Sequence, residues 1–228
     1  MEREKFYQAL FARAKEAGFS ACEVYCESGS SFSVSVFGGE IIDYSASDDL
    51  GLGFRGLVNG RMGHAYTQAL DEDAIELLVC GAKESAQLIE CADEQFLFPG
   101  GEAYAPVECD TRQIEGMGAA DKIALCRRLE ETCAACDARI RREAEASVFS
   151  QTCEVEIVNS LGLRARRQAG LIGGSVQAVA AEGGRTCSGS GIFFGNALCE
   201  GDVERAARDA AKEALDGLDA RSVPSGAY

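Results

Sequence analysis

Few side chains in this chain are equipped for chemistry. His64 is the only histidine, Arg55 and Tyr66 lie within eleven positions of one another around it, and Cys133-Ala-Ala-Cys136 has the spacing of half a zinc site. One imidazole cannot build a His-rich metal centre. The cysteine pair meets a competing reading, because Ile123, Cys126, Leu129, Cys133 and Cys136 recur every three or four residues, as the apolar stripe of a helix does. No second Cys-x-x-Cys or His pair completes four ligands, so buried thiols are favoured over metal ligation. Gly51-x-Gly53-x-x-Gly56 matches the dinucleotide fingerprint as a string. That fingerprint needs a strand that ends and a helix that begins, and here a hairpin signal follows. Ser188-Gly189-Ser190-Gly191 lacks the first glycine of a nucleophile elbow and sits in a strand-like run. No catalytic residue and no metal ligand is therefore assigned.

The element that positions His64 is legible. Asn59-Gly60 supplies the two positive φ angles of a type I′ turn between Leu52–Val58 and Arg61–Thr67. With those two residues as the loop, Val58 faces Arg61, Arg55 faces His64 and Gly53 faces Tyr66. Arg55, His64 and Tyr66 then share a sheet face with Leu57 and Met62. Arg55, Asn59, Arg61, His64 and Tyr66 form the candidate substrate-binding set. Two readings of His64 stay open: a polar contact held neutral by the facing guanidinium, or a half-buried ring packed on Met62 and Tyr66.

Around the hairpin the periodicity alternates between helix and strand. Phe6, Leu10, Ala14 and Ala17 have helical spacing over residues 2–17, ended by Gly18. Strands follow at Cys22–Glu27, Phe32–Val36 and Glu40–Ser47, with a tight turn at Gly38-Gly39. Asp71 caps a helix whose stripe is Ile75, Leu78, Val79, Ala82, Ala86 and Ile89. The glycines and prolines of residues 92–118 mark a connector. A helix over Ala119–Ala135 opens the second half. Strands are expected at Ala138–Ser150 and Thr152–Val158, then a turn at Asn159-Ser160-Leu161-Gly162, a long strand, a turn at Gly183-Gly184, and a strand over Arg185–Phe194. Asp202 is the expected cap of a last helix carrying Val203, Ala207, Ala210, Ala214 and Leu218. The two halves match at one constant offset: Gln68 with Asn196, Glu72 with Glu200, Ile75 with Val203. The expectation is an α+β fold of antiparallel meanders flanked by helices, with a duplicated helix, meander, helix unit over 1–91 and 119–221 and a short link from 222 to 228.

Composition narrows the function classes. Twenty-two basic against thirty-seven acidic residues give a net charge of −15, which repels phosphate backbones and argues against direct nucleic-acid binding. Eleven cysteines without a secretion signal indicate a reducing, cytoplasmic setting. No run is long and apolar enough for a membrane span.

The segments Gly39-Glu40-Ile41, Gly51-Leu52-Gly53-Phe54-Arg55 and Asn59-Gly60-Arg61-x-Gly63-x-Ala65-Tyr66-Thr67 together resemble the amino-terminal domain of the TldD/PmbA family. The resemblance runs on through Asn159–Gly162 to Leu215–Gly226, and that turn is closer to the PmbA type. It implies a chain about half the family's length, whose members are metal-dependent peptidases also named modulators of DNA gyrase. It further implies that TldD-type and PmbA-type subunits pair and that unstructured peptides are cut in an enclosed chamber. The TldD-type His-Glu-x-x-x-Asp element lies in the carboxy-terminal half. Here His64 is followed by Ala65, so zinc is implied for the catalytic partner subunit and no cofactor for this chain, which is expected to be inactive alone. The expected partners are a second copy or a TldD-like subunit, plus an unstructured peptide. The alternatives are a self-sufficient thiol or zinc protein using Cys133 and Cys136, with Cys126, and an acidic gyrase-modulating interaction protein.

Overall fold

The computed structural model describes residues 1–90, 93, 95–101, 104–105, 107, 109–141, 144–222 and 224–226. Its elements are α1 (Arg3–Glu16), β1 (Ala21–Phe37), β2 (Glu40–Val58), β3 (Arg61–Thr67), α2 (Glu72–Gln87), α3 (Arg112–Gly116), α4 (Ala119–Ala134), β4 (Glu145–Asn159), β5 (Arg164–Glu182), β6 (Arg185–Gly195) and α5 (Asp202–Leu218). The six strands form one sheet in the order β3-β2-β1-β4-β5-β6. Side-chain bonds at Cys22 with Ser160, Ser30 with Thr152 and Ser35 with Ser147 advance on β1 while they retreat on β4, the mark of an antiparallel pair. The expected α+β fold, an antiparallel sheet flanked by helices, is what is observed. Its element order, helix, three strands, helix, occurs twice.

Two compact units divide the chain, one from Met1–Gly29, Asp48–Glu108 and Cys153–Gln168, the other from Ser30–Ser47, Cys109–Thr152 and Ala169–Tyr228. In the first, α1 and α2 cover the strand face that carries Cys22, Val24, Cys26, Leu52 and Phe54, and Phe6, Leu10, Leu78 and Val79 fill the core between them. Full burial of each such side chain is worth about 1.5–3 kcal/mol. Asp71 caps α2, its Oδ1 accepting from the Ala74 amide at 2.8 Å. In the second unit, α4 and α5 cover Phe32, Val34, Val36, Val148, Val176 and Ala178. The face of α5 is built from Ala206, Ala207, Ala210, Ala211 and Ala214, all buried.

Those small side chains let the helices close on the sheet. A Cβ built on Gly63 would stand 1.7 Å from the Ala82 carbonyl oxygen of α2, and one on Gly191 would stand 1.8 Å from that of Ala206 on α5. The two glycines are separated by the same offset that relates the halves in sequence. The helices, and the segment that follows α2, also reach the sheet's edges. On β3 the Met62 amide donates to Gln95 Oε1 at 2.5 Å and the His64 amide to Ser85 Oγ at 3.3 Å. On β6 the Ser190 amide donates to Glu213 Oε2 at 2.7 Å. Side chains thus occupy edge amides that would otherwise invite another strand.

Several boundaries differ from expectation. Phe32–Val36 is the continuation of β1, and Glu40–Ser47 is continuous with Leu52–Val58 in one nineteen-residue strand. Residues 138–141 and Ala144 precede β4, which then runs unbroken through Gln151, and Arg142 and Glu143 of the expected strand lie outside the described residues. Asp202 is the first residue of α5, behind Gly201 at φ 84°; its carboxylate accepts from the Cys199 amide at 2.9 Å. Ala92, Glu94, Glu102, Ala103, Pro106 and Glu108 of the expected connector, and Val223, Ala227 and Tyr228 of the expected link, lie outside the described residues.

Candidate functional site

The hairpin joins β2 to β3 as Asn59-Gly60 dictates, with φ of 52° and 75°. Its register pairs Val58 with Arg61, Arg55 with His64 and Gly53 with Tyr66. Because α1 and α2 occupy the face of Leu52 and Phe54, the alternate residues point to the sheet's open face. There a cleft of about 520 Å³ is lined by Arg55, His64 and Tyr66 from the hairpin, Glu23 and Tyr25 from β1 and Ile157 from β4. Gly53, without a side chain, leaves the strand backbone exposed at its floor.

Glu23 is the electrostatic centre. It is 5% exposed, and a carboxylate so buried is tolerated only with partners. Arg55 supplies Nε at 2.8 Å and Nη2 at 2.6 Å to its Oε1, while Asn159 Nδ2 reaches its Oε2 at 3.2 Å. The Asn159 amide also donates to the Phe98 carbonyl at 2.7 Å. Its Oδ1 accepts from the Leu161 and Leu163 amides, each at 3.0 Å, the Asx arrangement that closes the turn ending at Gly162, φ 111°. One turn residue therefore fixes Glu23, and Glu23 fixes the guanidinium. Arg55 remains half exposed in the cleft wall.

Aromatic groups form the rim. Tyr66 is 81% exposed and Tyr25 is 44% exposed. The Tyr25 hydroxyl donates to Glu27 at 2.9 Å, and that carboxylate raises the phenol's pKa. His64 is exposed, not half buried on Met62, because Met62 is drawn into a small cluster with Ala21 and Leu97. The guanidinium expected to face the imidazole is committed to Glu23 instead.

The five expected binding residues do not meet in one place. Arg55, His64 and Tyr66 share the cleft, whereas Asn59 and Arg61 line a separate hollow of about 220 Å³ with Val58, Lys83, Ala86 and Gln87. Residue-level reasoning missed Glu23, Tyr25, Ile157 and Asn159. Only Asn159, in its turn motif, carried a sequence signal.

The cleft's groups suit recognition. Its lining among the described residues includes an aromatic rim, a guanidinium and an imidazole. The cysteines divide differently from the expected stripe. Cys126 and Cys133 are fully buried on α4, and burial pushes both thiols up to about 11. Cys136 falls two residues beyond the helix and is exposed. Among the described residues no three His, Cys, Asp or Glu side chains converge to hold a metal ion. The glycines of the dinucleotide-like string lie inside β2, with no helix following. No described helix is long and apolar enough to cross a membrane.

Comparison with known proteins gives concordant results. Residues 22–86 match the model of PmbA/TldA metallopeptidase domain 1, and residues 112–218 match that of the PmbA/TldA metallopeptidase central domain. No curated protein matches the chain in sequence. Among solved structures, a candidate modulator of a DNA gyrase from Thermotoga maritima is 23% identical with a TM-score of 0.84, over 98% of this chain and 50% of that one. A candidate modulator of DNA gyrase from Bacteroides thetaiotaomicron is 19% identical with a TM-score of 0.76, over 99% and 52%. TldE from Thermococcus kodakarensis is 17% identical with a TM-score of 0.74, over 89% and 46%. At these identities the likeness is one of fold. The chain spans about half the length of the structures it matches.

Proposed function

The chain belongs to the PmbA/TldD family, and on that premise we propose that it is the non-catalytic amino-terminal part of a PmbA-type peptidase subunit, which binds and encloses unstructured peptide. The observation that carries this reading is the cleft: Arg55, His64 and Tyr66 converge on an open sheet face beside the buried Glu23 and the exposed Tyr25. Peptide hydrolysis then belongs to an assembly with a TldD-like subunit, where the zinc is held, and the compartment is the cytoplasm. The two matched family models and the TldE fold support this placement.

Tyr66 is the residue to test, since its exposed ring can be removed without opening the core. Titration of a fluorescent unstructured peptide by anisotropy is expected to show binding weakened roughly five- to tenfold in Tyr66→Ala, the scale of a truncated aromatic contact. The urea midpoint should not move. Equal affinity for wild type and variant overturns the role of the cleft, and cleavage by the isolated chain overturns the non-catalytic assignment.

A further inference from the structure

The first seven residues of β2 differ from every other strand segment. All ten residues from Glu40 to Asp49 are exposed, and they include Ile41 at 42%, Ile42 at 56% and Tyr44 at 50%. In the sheet order β1 lies on one side of β2 and β3 on the other, but β3 ladders only onto Leu52–Val58. Among the described residues no strand lies outside Glu40–Ala46. The edges at β3 and β6 have amides occupied by Gln95, Ser85 and Glu213; no such cap covers Glu40–Ala46 among the described residues.

This edge is also held in shape. The turn before it, Gly38-Gly39, adopts φ of 60° and 82°, and the Gly39 amide donates to buried Glu130 Oε2 of α4 at 2.8 Å. The Tyr44 ring meets Phe32 edge-on at 5.5 Å. A strand ordered before its partner arrives spares the complex most of the ordering cost. Its charge has one sign: Glu40 and Asp43 lie along it, Asp48 follows, and no Lys or Arg occurs from Glu40 to Asp49. A second copy paired here would set acid beside acid, which is unfavourable across strands.

We infer that Glu40–Ala46 is a strand-addition site for an extended, lysine- or arginine-bearing polypeptide segment. Main-chain hydrogen bonds to the open edge hold the segment, its cations face Glu40 and Asp43, and its apolar residues cover Ile41, Ile42 and Tyr44. The inference rests on reading the chain as a peptide-handling domain, and it adds an address separate from the cleft and a charge preference.

The test uses the 228-residue chain with three probes: a short synthetic valine peptide with lysine at every third position, because Glu40 and Asp43 lie on opposite faces of the strand, its glutamate counterpart, and the lysine peptide N-methylated at every backbone amide. The lysine peptide should bind about tenfold more tightly than the glutamate peptide, as two or three exposed charge pairs allow. N-methylation should abolish binding, and amide exchange over residues 40–46 should slow in the complex. The double variant Glu40→Lys/Asp43→Lys should reverse the preference. Equal binding of both charges, indifference to N-methylation, or protection of 40–46 by self-association overturns the inference. Binding that survives the double variant but is lost in Tyr66→Ala overturns it too, while leaving the cleft reading intact.

Discussion

Substituting Gly63 by alanine tests how closely α2 is pressed to the sheet. The new methyl would stand 1.7 Å from the Ala82 carbonyl oxygen and 2.6 Å from its carbon, where ordinary contact begins near 3.4 Å. The obstacle is helix backbone, which cannot rotate aside, so α2 must move outward by well over an ångström. Overpacking of a tight core costs about 1–3 kcal/mol. The restricted unfolded state of alanine returns about 0.4–1 kcal/mol. The net loss should be about 1–2 kcal/mol, which for a chain of this size lowers the melting temperature by roughly 2–8 °C. Gly191→Ala, 1.8 Å from the Ala206 oxygen, should do the same in the second unit. The control is Gly51→Ala, a β2 position with nothing within 4 Å of the added carbon, expected to be neutral or slightly stabilising. Urea unfolding followed by circular dichroism measures all three. Amide exchange adds a local readout, because an outward shift of α2 pulls Ser85 Oγ from the His64 amide, now 3.3 Å away, and that amide should exchange faster. If Gly63→Ala unfolds within 0.5 kcal/mol of Gly51→Ala, on the order of measurement scatter for a neutral surface change, the close-packing argument is wrong.

The thiols give a pH-dependent test. Burial holds Cys22, Cys126 and Cys133 near 11, so at pH 8 iodoacetamide should modify exposed Cys80, Cys136 and Cys199 while these three react at least about a hundredfold more slowly. The folded state keeps protons that the unfolded chain releases above pH 9 or so. Stability from these groups is therefore complete below that pH and lost as pH rises toward 11, visible as a falling urea midpoint; rapid labelling of Cys133 in the native protein would contradict it. Asn159→Ala leaves Glu23 one donor short and orphans the Leu161 and Leu163 amides, and should cost about 2–4 kcal/mol. A loss under 1 kcal/mol in the same urea series would mean that water replaces the amide at little cost.

What the sequence disclosed follows from how local its causes are. The register of β2 with β3 could be read to the residue because two adjacent residues, Asn59 and Gly60, determine it. The stripes of α2 and α5 were legible for a similar reason, each being repeated on its own helix. Glu23 could not be found this way. It alternates with Cys22 and Val24 as a solvent-facing residue should, and the partners that hold it, Arg55 and Asn159, are both remote in sequence. The continuity of β2 was hidden too, since Asp48-Asp49 resembles a break; its acids are accommodated because that stretch of strand is exposed. Asn59 and Arg61 were grouped with His64 by proximity along the chain, but the pleat turns Arg61 to the α2 side.

The segment composition of the two units bears on inheritance. One unit takes its residues from before 30, from 48–108 and from 153–168, and the other fills the gaps. A genetic crossover at any point between residues 30 and 168 would consequently divide at least one hydrophobic core between two parental sequences. Recombination can exchange these interleaved segments together far more safely than it can exchange either half of the chain.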